Sequence, residues 1–460
     1  MAATPQWSQF RGPNNSGVAL EAQPPVKFGP AQNVLYKVPL STGASSPCIY
    51  GERIYVTAFD QGQLWTIALD RATGKELWRK ASPAEKLEDY NPFEGSPAAS
   101  TPATDGEHIV SYFGSNGLFC YDTTGKLLWK FPLPPAEVLG RFGSGVSPII
   151  ADGKVILVRD VLQTPTIYAL DVKTGKPVWD KSREGLITAY STPVIWENNG
   201  VKEVVTAGIG RLVAYDLRDG SERWTVRELP SNVCTSPVVA DGLLLFAGWS
   251  PGSPDDPTGA MPAFADILKG ADKDSDGALS RAEAGASMFA KFFDNNDYDR
   301  DGLIEEPEYT QMIDFMKQGK NVALAIKPGG TGDITQSHVV WRQTKNLPYV
   351  PSPIYVNGLM FILKDGGIAH AVDAKTGEIK IKPERVGANG SYYASPVAAG
   401  NRIYLFNVDG VATVVELGEK FSKLHSVELG ERVSATPAIV DNKLYVRTAG
   451  HLYAFGTDGL

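Results

Sequence analysis

A Ser/Thr-Pro dipeptide followed by apolar residues recurs eight times along the chain, at Pro47, Pro102, Pro148, Pro193, Pro237, Pro353, Pro396 and Pro437. The intervals run from 41 to 55 residues, except one of 116 between Pro237 and Pro353. A period near 40–50 residues is that of four-stranded propeller blades, units that cannot bury their apolar faces alone and so stack on their neighbours. The long interval carries about 70 residues more than a blade requires.

Each repeat has further internal signals. A turn such as "ADGK" (151–154), "ADGL" (240–243) or "VNGL" (356–359) follows the first apolar run, and a second apolar run follows the turn. Next comes "IALDRATGKELW" (67–78), "CYDTTGKLLW" (120–129), "YALDVKTGKPVW" (168–179) or "VAYDLRDGSERW" (213–224), with a weaker copy "AVDAKTGEIK" (371–380). In this motif the Asp can bond turn amides, the Gly supplies positive φ, and the Trp brings a large apolar surface to the next blade. Five of the nine tryptophans, Trp78, Trp129, Trp179, Trp224 and Trp341, hold that place. A blade therefore reads as strands A to D. The last repeat stops after strand C, and "NVLYKVPL" (33–40) stands ahead of the first Ser/Thr-Pro. The expected fold is all-β: an eight-bladed β-propeller closed by pairing of its N- and C-terminal strands, which removes exposed edges.

The "AxDxxTGxxxW" pattern resembles the tryptophan-docking repeat of the pyrroloquinoline quinone (PQQ)-like propeller superfamily, over nearly all of the chain outside 250–320. The opening "WSQFRGPNNSGV" is similar to the start of secreted bacterial members. The resemblance implies an extracytoplasmic protein, and the start "MAATPQ" reads as a mature N-terminus from which a signal peptide has been removed. The superfamily includes quinoprotein dehydrogenases and a scaffold lipoprotein of outer-membrane protein assembly, so the resemblance speaks to fold more than to activity.

The excess residues carry a different chemistry. Asp272, Asp274, Asp276, Ala278 and Glu283 occupy positions 1, 3, 5, 7 and 12 of one acidic loop, with Gly277 at position 6. Asp297, Asp299, Asp301, Leu303 and Glu308 repeat the pattern, with Gly302 at position 6. This is the EF-hand spacing: side-chain oxygens at 1, 3 and 5, a backbone carbonyl at 7 and a bidentate Glu at 12 suit a hard cation such as Ca²⁺. Apolar residues at helical spacing flank the loops, Phe264, Ile267 and Leu268 before and Tyr309, Met312, Ile313 and Met316 after. Only residues 284–296 separate the loops, which leaves little room for face-to-face pairing and favours a structural over a regulatory calcium role. Residues 251–319 hold 15 acidic and 6 basic residues, and the remainder 37 and 38, so the net charge of −8 resides in this stretch. The expected organisation is one discontinuous propeller domain (1–250 and 320–460) with an EF-hand pair (251–319) in the B–C loop of blade 5.

That insertion lies on the face carrying the D–A and B–C loops. The D–A loops bring Tyr90, Asn91, Glu94, Arg141, Tyr190, Asn232, Tyr349, Tyr392 and Tyr393 to this face. From the B–C loops, Arg159, Asp160, Trp249, Asp365 and Arg447 are the candidates for holding a polar ligand or cofactor. No basic stripe marks a nucleic-acid interface, and no apolar run is long enough to span a membrane. The three cysteines fit no zinc or haem spacing, and the five histidines form no triad. No adjacent Cys-Cys pair and no CxxCH haem motif accompany the repeats. The function expected is therefore a monomeric calcium-binding scaffold that presents its loop-rich face to a protein or glycan, with no catalytic residue assigned. A PQQ-dependent alcohol or sugar dehydrogenase is the alternative, and a carbohydrate-active hydrolase or lyase the second.

Overall fold

The computed structural model describes residues 6–254, 260–285, 287 and 289–457. Residues 1–5, on which the expectation of a processed N-terminus rests, lie outside them. Eight sheets follow one another as the blades of a propeller, antiparallel except where Gly332–Asp333 adds in parallel to the outer strand of blade 4. Blade 3 is representative: Ile149–Ala151, Lys154–Arg159, Thr166–Asp171 and Pro177–Ser182 pair in sequence order. The eighth sheet sets Val34–Pro39 beside His451–Phe455, with Tyr36 opposite Ala454.

The structure gives the repeated Ser/Thr-Pro a reason. In seven of the eight, the amide of the Ser or Thr donates to the hydroxyl oxygen of the equivalent residue in the next blade. The chain of bonds runs from Ser46 to Thr101 (2.9 Å), Ser147 (3.0 Å), Thr192 (3.2 Å), Ser236 (3.0 Å), Ser352 (3.0 Å), Ser395 (3.0 Å) and Thr436 (3.0 Å). All eight residues are buried, where an unpaired amide would cost about 1–3 kcal/mol. A hydroxyl at this position thus satisfies a buried amide of the preceding blade in blades 2 to 8, and the proline after it has no amide to satisfy.

The tryptophans clasp the blades at their outer edges. The indole N–H of Trp78, Trp129, Trp179 and Trp341 donates to the carbonyl of Thr123, Val172, Leu217 and Ala374 in the following blade. The glycine of that blade's turn lies against the indole ring: a Cβ on Gly175, at φ 68°, would stand 2.5 Å from Trp129. Gly175→Ala is expected to lower stability by about 1–3 kcal/mol, from backbone strain and overpacking together. Urea midpoints of the variant and parent measure it. Blade 8 uses Tyr36 in the tryptophan's place, with its hydroxyl on the Arg71 carbonyl (3.2 Å) and its ring against Gly74. Trp224 differs and donates to the Glu203 carboxylate of its own blade (2.9 Å).

The helices lie between Leu243–Gly248 and Val322–Ile326, two paired strands of blade 5. They are α1 (Phe264–Ala271), α2 (Arg281–Ala284), α3 (Phe293–Asn296) and α4 (Glu306–Lys317). Phe264, Phe289, Phe293, Tyr309 and Met312 form a cluster of their own beneath them. One expectation is corrected here. The short spacer does not prevent loop pairing: Leu279–Ser280 pairs antiparallel with Leu303–Ile304, and Leu279 and Ile304 are fully buried opposite each other. The chain between them is broken into the single turns α2 and α3, so it doubles back instead of running as one rod.

Candidate functional site

The bottom of the site is built by residues 6–19. Gln6–Trp7 adds to the inner edge of blade 1. The Ser8 carbonyl accepts from the Thr104 amide (2.9 Å), Asn14 bonds Ile195 through both its amide N–H and its carbonyl (2.8 Å each), and the Ala19 amide donates to Ala398 (2.8 Å). Arg11 is fully buried and donates to the Pro353 carbonyl (2.5 Å). The segment thus crosses the ring and ties blades 1, 2, 4, 6 and 7 together, and Phe10 closes the cavity above it.

That cavity, of about 180 Å³, is ringed by the D–A loops. Glu94, Tyr190, Asn232, Cys234, Tyr349 and Tyr393 meet there. The Tyr393 hydroxyl donates to Glu94 (2.9 Å). Burial pushes the Glu94 carboxyl up, against the pull of Tyr393 and Arg432, and burial likewise raises Tyr190 and Tyr349. A second cavity, of about 290 Å³, lies between the ring and the inserted helices, and Trp249, Met261, Phe292, Met312, Phe315 and Met316 line it. A third, of about 250 Å³, is bordered by Phe59, Tyr90, Arg432 and Arg447. Glu94 borders all three.

The inserted helices reach the loops ahead of blades 2 and 3. Arg141 donates to the carbonyls of Asp294 (3.0 Å), Asp297 (2.9 Å) and Tyr298 (2.6 Å). Asn91 donates to the Asn295 side chain (2.7 Å), Arg300 pairs with Asp89 (2.6 Å), and Phe142 packs on Phe292. An insertion rooted in blade 5 therefore roofs the second cavity and rests on the far side of the loop face.

The five residues expected to hold a ligand are not gathered at one place. Asp160 is fully buried and paired with Arg183. Arg159 donates to the Pro134 carbonyl (2.6 Å), and Asp365 accepts the Tyr392 amide (2.8 Å). Arg447 is buried and donates to the carbonyls of Ser41, Ser45 and Thr57, although it also borders the third cavity. Only Trp249 lines the second cavity, edge-on to Tyr349. The residues that do converge, Glu94, Tyr190, Asn232, Tyr349 and Tyr393, come from the D–A loops.

The acidic loops form two clusters that could hold a metal ion. Carboxylate oxygens of Asp272, Asp274 and Glu283 lie within 4.8 Å of one another, as do those of Asp297, Asp299 and Glu308. Asp276 and Asp301 sit in the same loops and accept the amides of Ala278 and Leu303 (2.9 Å each). Gly277 and Gly302 take φ of 86° and 92°, a region that favours glycine. Asp297 is buried, and its Oδ1 has no protein partner.

Glu88, in the same loop as Glu94, adds a pH dependence. It is buried, accepts the Ser144 amide (2.9 Å), and is pushed by burial from 4.5 to about 7, with Ser144 and Arg159 opposing. A carboxyl with a raised folded-state pKa stabilises the fold below its unfolded value and loses that contribution as pH rises to the folded value. Stability is expected to fall by roughly 3 kcal/mol between about pH 4.5 and pH 7 from this group. Glu88→Gln should flatten the stability–pH curve over that window.

Fold and repeat together define an eight-bladed β-propeller whose repeats are similar to those of PQQ-like propellers. The family described as outer membrane protein assembly factor BamB matches residues 65–227. A tetrathionate hydrolase of Acidithiobacillus ferrooxidans is 26% identical over 223 residues, covering 38% of this chain and 44% of that protein. The serine/threonine-protein kinase AfsK of Streptomyces griseus is 32% identical over 138 residues, 30% of this chain and 15% of that one. The chain thus spans less than half the length of either relative. Among solved structures, BamB from Moraxella catarrhalis superposes with a TM-score of 0.56 at 15% identity, covering 92% of this chain and 99% of that one. A europium-containing methanol dehydrogenase gives 0.64 at 12%, covering 98% of each. The quinohemoprotein alcohol dehydrogenase of Comamonas testosteroni gives 0.57 at 12%, covering 99% and 81%. These likenesses are of fold. Among the described residues, no helix is long and apolar enough to cross a membrane.

Proposed function

We propose that the protein is an extracytoplasmic, calcium-binding propeller that holds a ligand or partner protein on its loop-rich face and performs no chemistry on it. The observation that carries this reading is the roofed cavity around Glu94: loops from the ring enclose it, and an insertion with two acidic loops covers its neighbour. In this reading the ring is one domain closed by its terminal strands, and residues 251–319 are an EF-hand pair. Asp272, Asp274, Asp276, Ala278 and Glu283 hold one Ca²⁺, and Asp297, Asp299, Asp301, Leu303 and Glu308 the other. Each loop surrounds its ion with its own oxygens, so the calcium orders the roof and takes no part at Glu94.

PQQ, which the fold family implies, does not fit the cavity. Its three carboxylates call for Arg or Lys at the rim, and the cavity offers the Glu94 carboxylate with no basic side chain among its lining residues. Arg159 and Arg447 are engaged with backbone carbonyls. Among the described lining residues there is no histidine, and burial pushes the Cys234 thiol up to about 12, so the cavity lacks an activated thiol or an imidazole base. Calorimetric titration with PQQ, in calcium and in chelator, tests the reading and is expected to give no saturable heat. Micromolar PQQ binding would overturn it. A glycan array and cross-linked capture of partners, each with and without calcium, are expected to give a calcium-dependent ligand.

A further inference from the structure

We infer that the cavity at the funnel's centre takes an organic ammonium group, seated on Glu94 among Tyr190, Tyr349 and Tyr393, with its apolar substituent in the neighbouring cavity under the inserted helices. This rests on the ligand-binding reading above and narrows it to one ligand chemistry.

The argument is one of exclusion and fit. Among the described residues the lining carries one carboxylate and no Lys or Arg, so an anionic ligand would meet the Glu94 carboxylate with no cation inside the cavity to pair with. A single carboxylate is too few oxygens for a hard metal ion, which takes six or more. A carboxylate with three phenol rings is the combination that attracts a weakly hydrated organic cation: charge pairs with charge, and the rings contribute their quadrupoles. Burial disfavours the ionised form of Glu94, and Arg432 and Lys291 offset this only in part, so a cation seated in the cavity adds counter-charge on the side that faces Tyr190 and Tyr349. Arg432 does not take that place. Its guanidinium donates to the Phe93 carbonyl (2.6 Å) and the Ser434 hydroxyl (3.2 Å) and lies over the Tyr393 ring, in the third cavity.

The second cavity sets the rest of the ligand. It shares Glu94, Phe142, Asn232 and Tyr349 with the first. Beyond these, Met261, Met312, Met316, Phe289, Phe292 and Phe315 present thioethers and rings. This apolar wall accommodates a hydrocarbon or aromatic group, and flexible methionines adapt to its shape.

The test is calorimetric titration of the whole protein in calcium with choline, benzyltrimethylammonium and 3,3-dimethyl-1-butanol, the neutral carbon isostere of choline. Choline is expected to bind about tenfold or more tightly than the isostere, and benzyltrimethylammonium more tightly still. Glu94→Gln should remove that preference while leaving the isostere unchanged. Choline affinity should also fall on acidification as Glu94 takes a proton, and it should do so equally in Glu88→Gln, which removes the buried carboxyl bonded to Ser144 of the same lining. The inference is overturned if choline and its isostere bind alike, if Glu94→Gln binds choline as the parent does, or if no ammonium compound binds. A glycan or protein captured on the loop face with the ammonium series silent would remove this inference and leave the binding function standing.

Discussion

Asp160→Ala is expected to destabilise the ring by about 3–5 kcal/mol, the usual result of leaving one partner of a buried ion pair uncompensated. Both side chains are fully buried. Asp160 accepts from Arg183 Nε (2.6 Å) and Nη2 (3.0 Å), and Arg183 Nη1 donates to the Tyr215 hydroxyl (2.9 Å) while its guanidinium lies near the Tyr215 ring. The pair therefore joins blade 3 to blade 4, and its geometry leaves no carboxylate oxygen free for a ligand. Removing only the acid strands a guanidinium with one hydroxyl partner. The double variant Asp160→Ala/Arg183→Met should recover much of the loss, because no charge is then left in the blade interface. Urea unfolding of the two variants measures both values. Equal destabilisation in the single and double variants would show that lost packing, and not the orphaned charge, sets the cost.

The same pair shows why the loop face was harder to read than the ring. Blade packing repeats, and each repeat solves one problem with one residue type: a hydroxyl for the neighbour's amide, a tryptophan for the neighbour's carbonyl. Periodicity makes those residues visible. Where a blade solves the problem differently, as with Tyr36 in blade 8 or Trp224 bonded to Glu203, the pattern weakens and only the packing explains the residue. The clustering of Asp272, Asp274 and Glu283, and of Asp297, Asp299 and Glu308, was legible for a different reason: each set comes from one short stretch. The cavity had neither advantage. Its residues come one or two from each blade, and a charged B–C residue such as Asp160 or Arg447 looks the same in sequence whether it meets a ligand or a backbone carbonyl. The tyrosines and Glu94 of the D–A loops were visible only as members of a larger set. The segment 6–19 carried no periodic signal, and its crossing of the ring follows from bonds to distant blades.

On the proposal that each acidic loop holds a Ca²⁺ ion, removing calcium is expected to loosen the roof before it affects the ring. At free calcium about a hundredfold above the dissociation constant, each bound ion contributes about 2.7 kcal/mol. That is a large share of what a 69-residue insertion with one small apolar cluster can supply. The two loops should not matter equally. Among the described residues, the bonds of residues 272–283 stay within the insertion. The second loop is tied to the ring, since Arg141 holds the carbonyls of Asp294, Asp297 and Tyr298 and Arg300 pairs with Asp89. The ion that Asp297 would bind thus fixes the backbone on which Arg141 closes. Asp297→Asn is expected to speed hydrogen exchange in residues 139–143 and 289–317 and to raise the binding of a fluorescent hydrophobic dye, as the Met- and Phe-lined cavity opens to solvent. Asp272→Asn should lose the other ion and raise exchange within 264–284, with little change at 139–143. Chelation should reproduce the sum of the two, while strands such as Val155–Val158 stay protected. Equal effects of both substitutions at 139–143, or no effect of either, would mean that the roof is held by its apolar contacts with Phe142 and Trp249 and not through the second loop.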